Sequence, residues 1–165
     1  MKRGTTIPEL EEMLTYCRPH GSQTESDFVE KYLGSVPGMA WDKFGNGILC
    51  IGTAPILWSS HTDTVHAKDG RQAVQRLGHE LRLAKKRAGL CLGADDGAGV
   101  WVMLEMIRAK VSGLYIFHAG EEHGGLGKLR RGFPKHVNRF ALEKLQVGDF
   151  GHEDDVMRYG LGVMS

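Results

Sequence analysis

Residues 60–66 read "SHTDTVH" and place two histidines, an aspartate and three hydroxyl side chains one residue past the apolar run "PILW". Two further clusters have the same setting. "ADD" follows "GLCLG", and "GEE" follows "LYIFHA". Each stands just beyond a stretch too apolar to hold charge. In an open α/β sheet, ligands bind beyond the carboxyl ends of the strands. If the three strands are neighbours, His61, Asp63, Asp95, Asp96, Glu121 and Glu122 converge on one patch. So many carboxylates a few ångströms apart cannot all stay ionised. A divalent cation, or a pair of them, removes the repulsion. Imidazole with carboxylates suits zinc, with manganese or cobalt as alternatives.

The spacing inside each cluster has a mechanical meaning. Asp63 lies two residues after His61, so both side chains point to the same side of an extended chain. There the Asp63 carboxylate can orient the imidazole through its second nitrogen. In the glutamate pair, one carboxylate can hold metal while the other takes a proton from water. Singly, each cluster has a plainer reading: a turn for "HTD", a helix N-cap for "ADD", a solvated face for "EE". Their order and shared position carry the metal reading. Among the other candidates, His66 reads as a turn residue and His118 as a satisfied core histidine. Cys91 also reads as core. For His123, site and surface are equally open.

The elements that must position these clusters follow from periodicity. "TTIPELEEMLTYCRPHG" opens with a helix carrying Ile7, Leu10, Leu14 and Cys17 as an apolar stripe. "TESDFVEKYLGSV" is a second helix that Gly34 stops. "GMAWDKFGNGILCIG" is a hairpin around "FGNG". "APILWSSHTDTV" has the continuous apolar run of a buried central strand. "HELRLAKK" is another strand, with "GRQAVQRLG" as its linker. "GLCLG" is a short strand, and a helix runs from about Gly97 to Lys110. "SGLYIFHAG" is a further buried strand. Strands alternating with helices predict an α/β fold, a three-layer sandwich around a mostly parallel mixed sheet.

Composition narrows the class. The chain has 165 residues, net charge +1, 41% hydrophobic and 25% charged residues, an ordinary globular balance with no overall pull toward nucleic acid or an acidic surface. Three cysteines without a CxxC pair argue against a disulfide framework and for a reducing compartment. No apolar run reaches the roughly 20 residues needed to span a bilayer, and the N-terminus lacks a signal-peptide core. The expectation is a cytoplasmic protein that does not use a membrane.

Taken together, "SHTDTV", "LGADDGAGV" and "HAGEEHGGLG" resemble metallopeptidase family 20, the peptidase T, aminoacylase and glutamate carboxypeptidase family. "WDKFGNGILCIG" resembles that family's D-x-x-G-N hairpin, and "RPHGSQTESDFVEKYL" its opening helices. The resemblance covers residues 7–127. It implies a zinc-exopeptidase-like catalytic domain and a hydrolase of peptide or amide bonds with two zinc ions. Short peptides or N-acyl amino acids would be the substrates. It makes His61 a ligand of one metal, Asp63 its orienting partner, Asp95 the bridging carboxylate, Glu121 the general base and Glu122 a ligand of the other metal. It also implies a cis peptide after Asp95. Gly97 departs from the family pattern, which has lysine there.

The resemblance stops at residue 127. Residues 128–165 read as a divergent tail, basic and then acidic, with five Lys/Arg and no acid in "KLRRGFPKHVNR". The domain division is therefore 1–127 and 128–165, with the catalytic domain incomplete at its C-terminus, as in a truncated or frame-shifted copy. Each metal then keeps two of these ligands, where catalytic zinc usually has three. Asp149, His152 or a second copy in a homo-oligomer would be sources of the rest. Two other readings stay open: a catalytically inactive remnant, and a binding module whose basic stretch touches nucleic acid.

Overall fold

The computed structural model describes residues 7–85 and 91–123 of the chain. The expectations placed on the tail, including Asp149, His152 and the basic stretch 128–139, lie outside these residues.

Helix α1 covers Ile7–Met13. It ends sooner than its apolar stripe predicts. The N–H and hydroxyl of Thr15 both turn back onto the Glu12 carbonyl, and Tyr16–Cys17 form a short strand, β1. Cys17 therefore belongs to a strand and not to the helix. Helix α2, Gln23–Tyr32, is capped by Ser22, whose Oγ accepts the Glu25 N–H at 3.1 Å. Leu33 and Gly34 close it by donating to the Val29 carbonyl, where Gly34 predicts the stop.

Strands β2, Ala40–Trp41, and β3, Gly47–Ile51, form the predicted antiparallel hairpin. Asp42 builds its turn, with Oδ1 accepting the N–H groups of Phe44 and Asn46 at 2.8 and 2.9 Å. Strand β4 is Leu57–His61. The predicted linker contains two strands, β5, Gly70–Arg71, and β6, Val74–Leu77. β5 pairs with β1, and β6 forms a hairpin with β7, Glu80–Leu83. Strands of two and four residues are too short to show an alternating pattern. Helix α3, Ala94–Arg108, has non-helical backbone at Asp95 and Asp96, so its regular part begins near Gly97, as predicted. Strand β8 is Gly113–His118.

The main sheet has the order β2-β3-β8-β4. β8 pairs antiparallel with β3 and parallel with β4. The sheet is mixed, as expected, but among the described residues β4–β8 is its one parallel ladder, against the mostly parallel expectation. β4 also stands at the edge of this sheet among those residues, and β8 takes the central place. Apolar runs report buried faces and not which strands lie alongside, so the sequence could not rank the two.

Alternation along the strands sorts the core. Tyr115 and Phe117 of β8 and Leu49 of β3 pack with Met13, Phe28, Val100 and Leu104 from the three helices. Leu114 and Ile116 point the other way and cluster with Ile48, Cys50 and Leu57. Both faces of β8 are buried, which explains its unbroken "LYIF". Among the described residues, no helix is long and apolar enough to cross a membrane.

Candidate metal centre

The site forms where the parallel strands β4 and β8 end side by side. His61 closes β4 and is in register with His118 of β8. Past the strand end, the Thr62 N–H donates to the His118 carbonyl at 2.8 Å. Beyond β8, Gly120 turns the chain with φ +72°. A Cβ there would stand 2.9 Å from the His20 ring, so both conformation and space call for glycine. This turn brings Glu121 and Glu122 beside the end of β4. The third cluster arrives differently from the expectation. Residues 86–90 lie outside the described set and Cys91–Gly93 are not a strand, so Asp95 comes from the start of α3.

His61 is buried. Its Nδ1 lies 3.0 Å from the main-chain oxygen of Asp63 and 3.5 Å from that residue's carboxylate. The orienting contact expected of the carboxylate is thus made more closely by the carbonyl. Nε2 is left facing Asp95, 3.1 Å from Oδ1. One donor atom each from His61, Asp95 and Glu122 lie within 4.8 Å of one another. Asp96 does not join them. Its Oδ1 accepts the Gly99 N–H at 3.0 Å, and its Oδ2 the His61 N–H at 3.3 Å, so Asp96 caps the helix start. The Asp95–Asp96 peptide is cis. Asp63 is fully buried, and its two carboxylate oxygens accept the N–H groups of Glu121 and Glu122, each at 3.0 Å.

The electrostatics match this grouping. Burial alone would lower the His61 pKa, but Asp63, Asp96 and Asp95 outweigh it and raise it to about 9. Burial opposes ionisation of Asp63, yet His61 and the two glutamate N–H groups hold its pKa below the ordinary carboxylate value. Burial raises Glu122, with Asp95, Glu121 and Asp63 adding to the rise and His61 opposing it. Such a patch attracts positive charge. An imidazole nitrogen with two carboxylates is a donor set for a divalent ion of the zinc type. The Asp95 side chain is 87% exposed, so the centre opens to solvent.

Two buried residues behind the site were not singled out by sequence patterns. Arg18 is 0% exposed. Its Nε donates to the Thr62 carbonyl at 2.7 Å and its Nη1 to the Met13 carbonyl at 3.2 Å, while the guanidinium stacks on Phe28. A Cβ at Gly97 would stand 3.1 Å from Arg18 Nη2, so glycine at 97 leaves room for the guanidinium. Asn46, in the β2–β3 turn, accepts the Ala119 N–H at 3.0 Å and donates to Asp42 at 2.8 Å. "GNG" marks the turn, but nothing local shows that Asn46 also braces the segment leading to the glutamates. His66 is more than a turn residue: it is buried, between Thr64 Oγ1 at 2.7 Å, the Cys91 carbonyl at 3.1 Å and Gln72 at 3.2 Å. His118 Nε2 meets Ser59 Oγ at 3.0 Å. Cys91 is half-buried, and His123 is exposed with its ring 5.8 Å from that of His20.

The sequence matches no protein-family model and no curated protein. Among solved structures, the chain is similar to the crystal structure of aminoacylhistidine dipeptidase from Vibrio alginolyticus, with a TM-score of 0.51 and 18% identity. The match covers 72% of this chain and 28% of that one. At this identity the likeness speaks for an α/β fold of that type and for nothing finer.

Proposed function

We propose that this chain is a metal-dependent hydrolase of peptide or amide bonds in small substrates, built on a zinc-exopeptidase-like three-layer domain. The observation that carries the reading is the convergence of His61, Asp95 and Glu122 within 4.8 Å at the ends of two parallel strands. The family resemblance of the three clusters and the dipeptidase-like fold point the same way.

His61, Asp95 and Glu122 would hold the metal, with zinc first and manganese or cobalt as alternatives. A bound divalent ion would polarise the substrate carbonyl and make water more acidic. His61 presents Nε2 because its other nitrogen is held by Asp63. Glu121 accepts the proton of the attacking water and delivers it to the leaving nitrogen. The described donors suffice for one ion with three protein ligands, the usual number at catalytic zinc. The second ion implied by the resemblance needs further donors, with Asp149 and His152 as candidates.

The test is zinc titration of chelator-stripped protein, followed by assay on short peptides, aminoacyl-histidine dipeptides among them, and N-acyl amino acids. Zinc should bind the wild type, and binding should weaken strongly but stay measurable in His61→Ala and Glu122→Ala. Glu121→Gln should keep binding and lose turnover by about 100-fold or more, the lower end of what a positioned general base contributes. Absent binding would overturn the proposal. Binding without turnover would leave the inactive remnant as the reading.

A further inference from the structure

Asp63 carries two separate contacts into the site, from different atoms. The main-chain carbonyl is the nearer partner of His61 Nδ1, at 3.0 Å against 3.5 Å for the carboxylate. That carbonyl is fixed without help from its own side chain. On one side the Thr62 N–H is tied to the His118 carbonyl, and on the other the Thr64 N–H is tied to the Arg18 carbonyl, both at 2.8 Å. Arg18 adds a bond from its own N–H to Thr64 Oγ1 at 3.0 Å and from Nε to the Thr62 carbonyl at 2.7 Å.

The carboxylate makes a different connection. It is fully buried, and each oxygen takes one N–H from consecutive residues, Glu121 to Oδ1 and Glu122 to Oδ2, both at 3.0 Å. Hydrogen bonds to an ionised, buried acceptor are stronger than neutral ones. Two such bonds to adjacent amides fix both the position and the rotation of the turn, and so where both glutamate side chains start. Asn46 holds the same segment two residues earlier, through the Ala119 N–H.

We infer that Asp63 is a positioning residue for the glutamate pair: its carboxylate registers Glu121 and Glu122 against the end of β4, while its carbonyl orients His61. The inference rests on the proposed metal centre for its functional meaning and on the hydrogen bonds alone for its structural content.

Two measurements separate these levels. The first uses metal-free, nitrogen-15-labelled wild type, Asp63→Asn and Asp63→Ala. In Asp63→Ala the Glu121 and Glu122 amides should exchange with solvent on the order of tenfold faster or more, the loss expected for hydrogen bonds to a charged group. In Asp63→Asn, which keeps the shape and one oxygen acceptor, one of the two amides should keep its protection. The His61 Nδ1–H should stay bonded to the Asp63 carbonyl, and its exchange with solvent should be the same in all three proteins. Unchanged amides, or a His61 Nδ1–H that exchanges faster in the variants, would overturn the inference. This result stands whether or not the protein binds metal, so it survives failure of the proposed function.

The second is a double-mutant cycle read as zinc affinity. Asp63→Asn should weaken zinc binding by tenfold or more in the wild type and by less than threefold in a Glu122→Gln background, because the two changes act on the same ligand. In a background of His61→Gln its full effect should remain. Coupling to His61 in place of Glu122 would overturn the assignment, as would an unchanged zinc affinity in a wild type that binds the ion.

Discussion

At the residue scale, the three clusters divide their labour in a way their composition does not show. Of six candidate side chains, His61, Asp95 and Glu122 come within ligand distance of one another, Asp96 caps a helix, and Asp63 ties the strand end to the glutamate turn. His66 also proves structural. It accepts from the Thr64 hydroxyl on Nδ1 and donates from Nε2 to the Cys91 carbonyl. Burial pushes its pKa below the ordinary 6.5, so the folded protein keeps it neutral. The unfolded chain binds that proton first as pH falls. The stability tied to a neutral His66 is therefore complete above about pH 6.5 and is lost as pH drops toward the folded value. In urea unfolding at about pH 8 and about pH 5.5, the stability difference between wild type and His66→Gln should shrink at the lower pH. A difference that grows would mean that the imidazole is charged in the fold.

At the element scale, the β2–β3 hairpin is the feature most clearly connected to the site from a distance. Its turn was legible because Gly45 and Asn46 of "FGNG" are turn formers for separate physical reasons. Its role was not, because the Asn46–Ala119 contact joins residues 73 positions apart. Asn46→Ala should leave the Ala119 N–H without its acceptor and remove a brace from the glutamate turn. The expected cost is about 1–3 kcal/mol of stability in urea unfolding, together with weaker zinc binding. An Asn46→Ala protein with full stability and affinity would show that the hairpin plays no part in the site. The same scale holds the misreadings. β1, β5 and β6 are too short for their pattern to speak, and the two short strands β1 and β5 exist because they pair with each other.

At the scale of the whole molecule, Arg18 ties the parts together. From one buried position it reaches the end of α1 through Met13, stacks on Phe28 of α2 and holds Thr62 beyond β4, while α3 makes room for it at Gly97. Burial lowers its pKa to about 10, opposed by Glu25, Asp63 and Asp96, so it stays charged at neutral pH. Arg18→Met keeps the bulk and removes the donors. Two buried carbonyls lose their partner, at about 1–3 kcal/mol each, and the acids around them lose a compensating charge. Urea unfolding should show a loss in that range or above it. A loss below about 0.5 kcal/mol would mean that the carbonyls find other donors.

What the sequence alone determined were the features set by near neighbours along the chain. These are the stop of α2 at Gly34, the hairpin turn around "FGNG", the start of regular helix at Gly97, the buried run of β8, and the placing of polar clusters just past apolar stretches. Each depends on local backbone chemistry or on a face buried over several consecutive residues. Tertiary structure decided which strand is central, that β3 and β8 run antiparallel, and that Asp95 reaches the centre from a helix start. It also decided that Arg18 and Asn46 stand behind the site. These follow from pairings between residues far apart in the chain, where one arrangement wins by burying both faces of β8 and satisfying the buried polar groups together. A single sequence displays the types of those residues but not their distances.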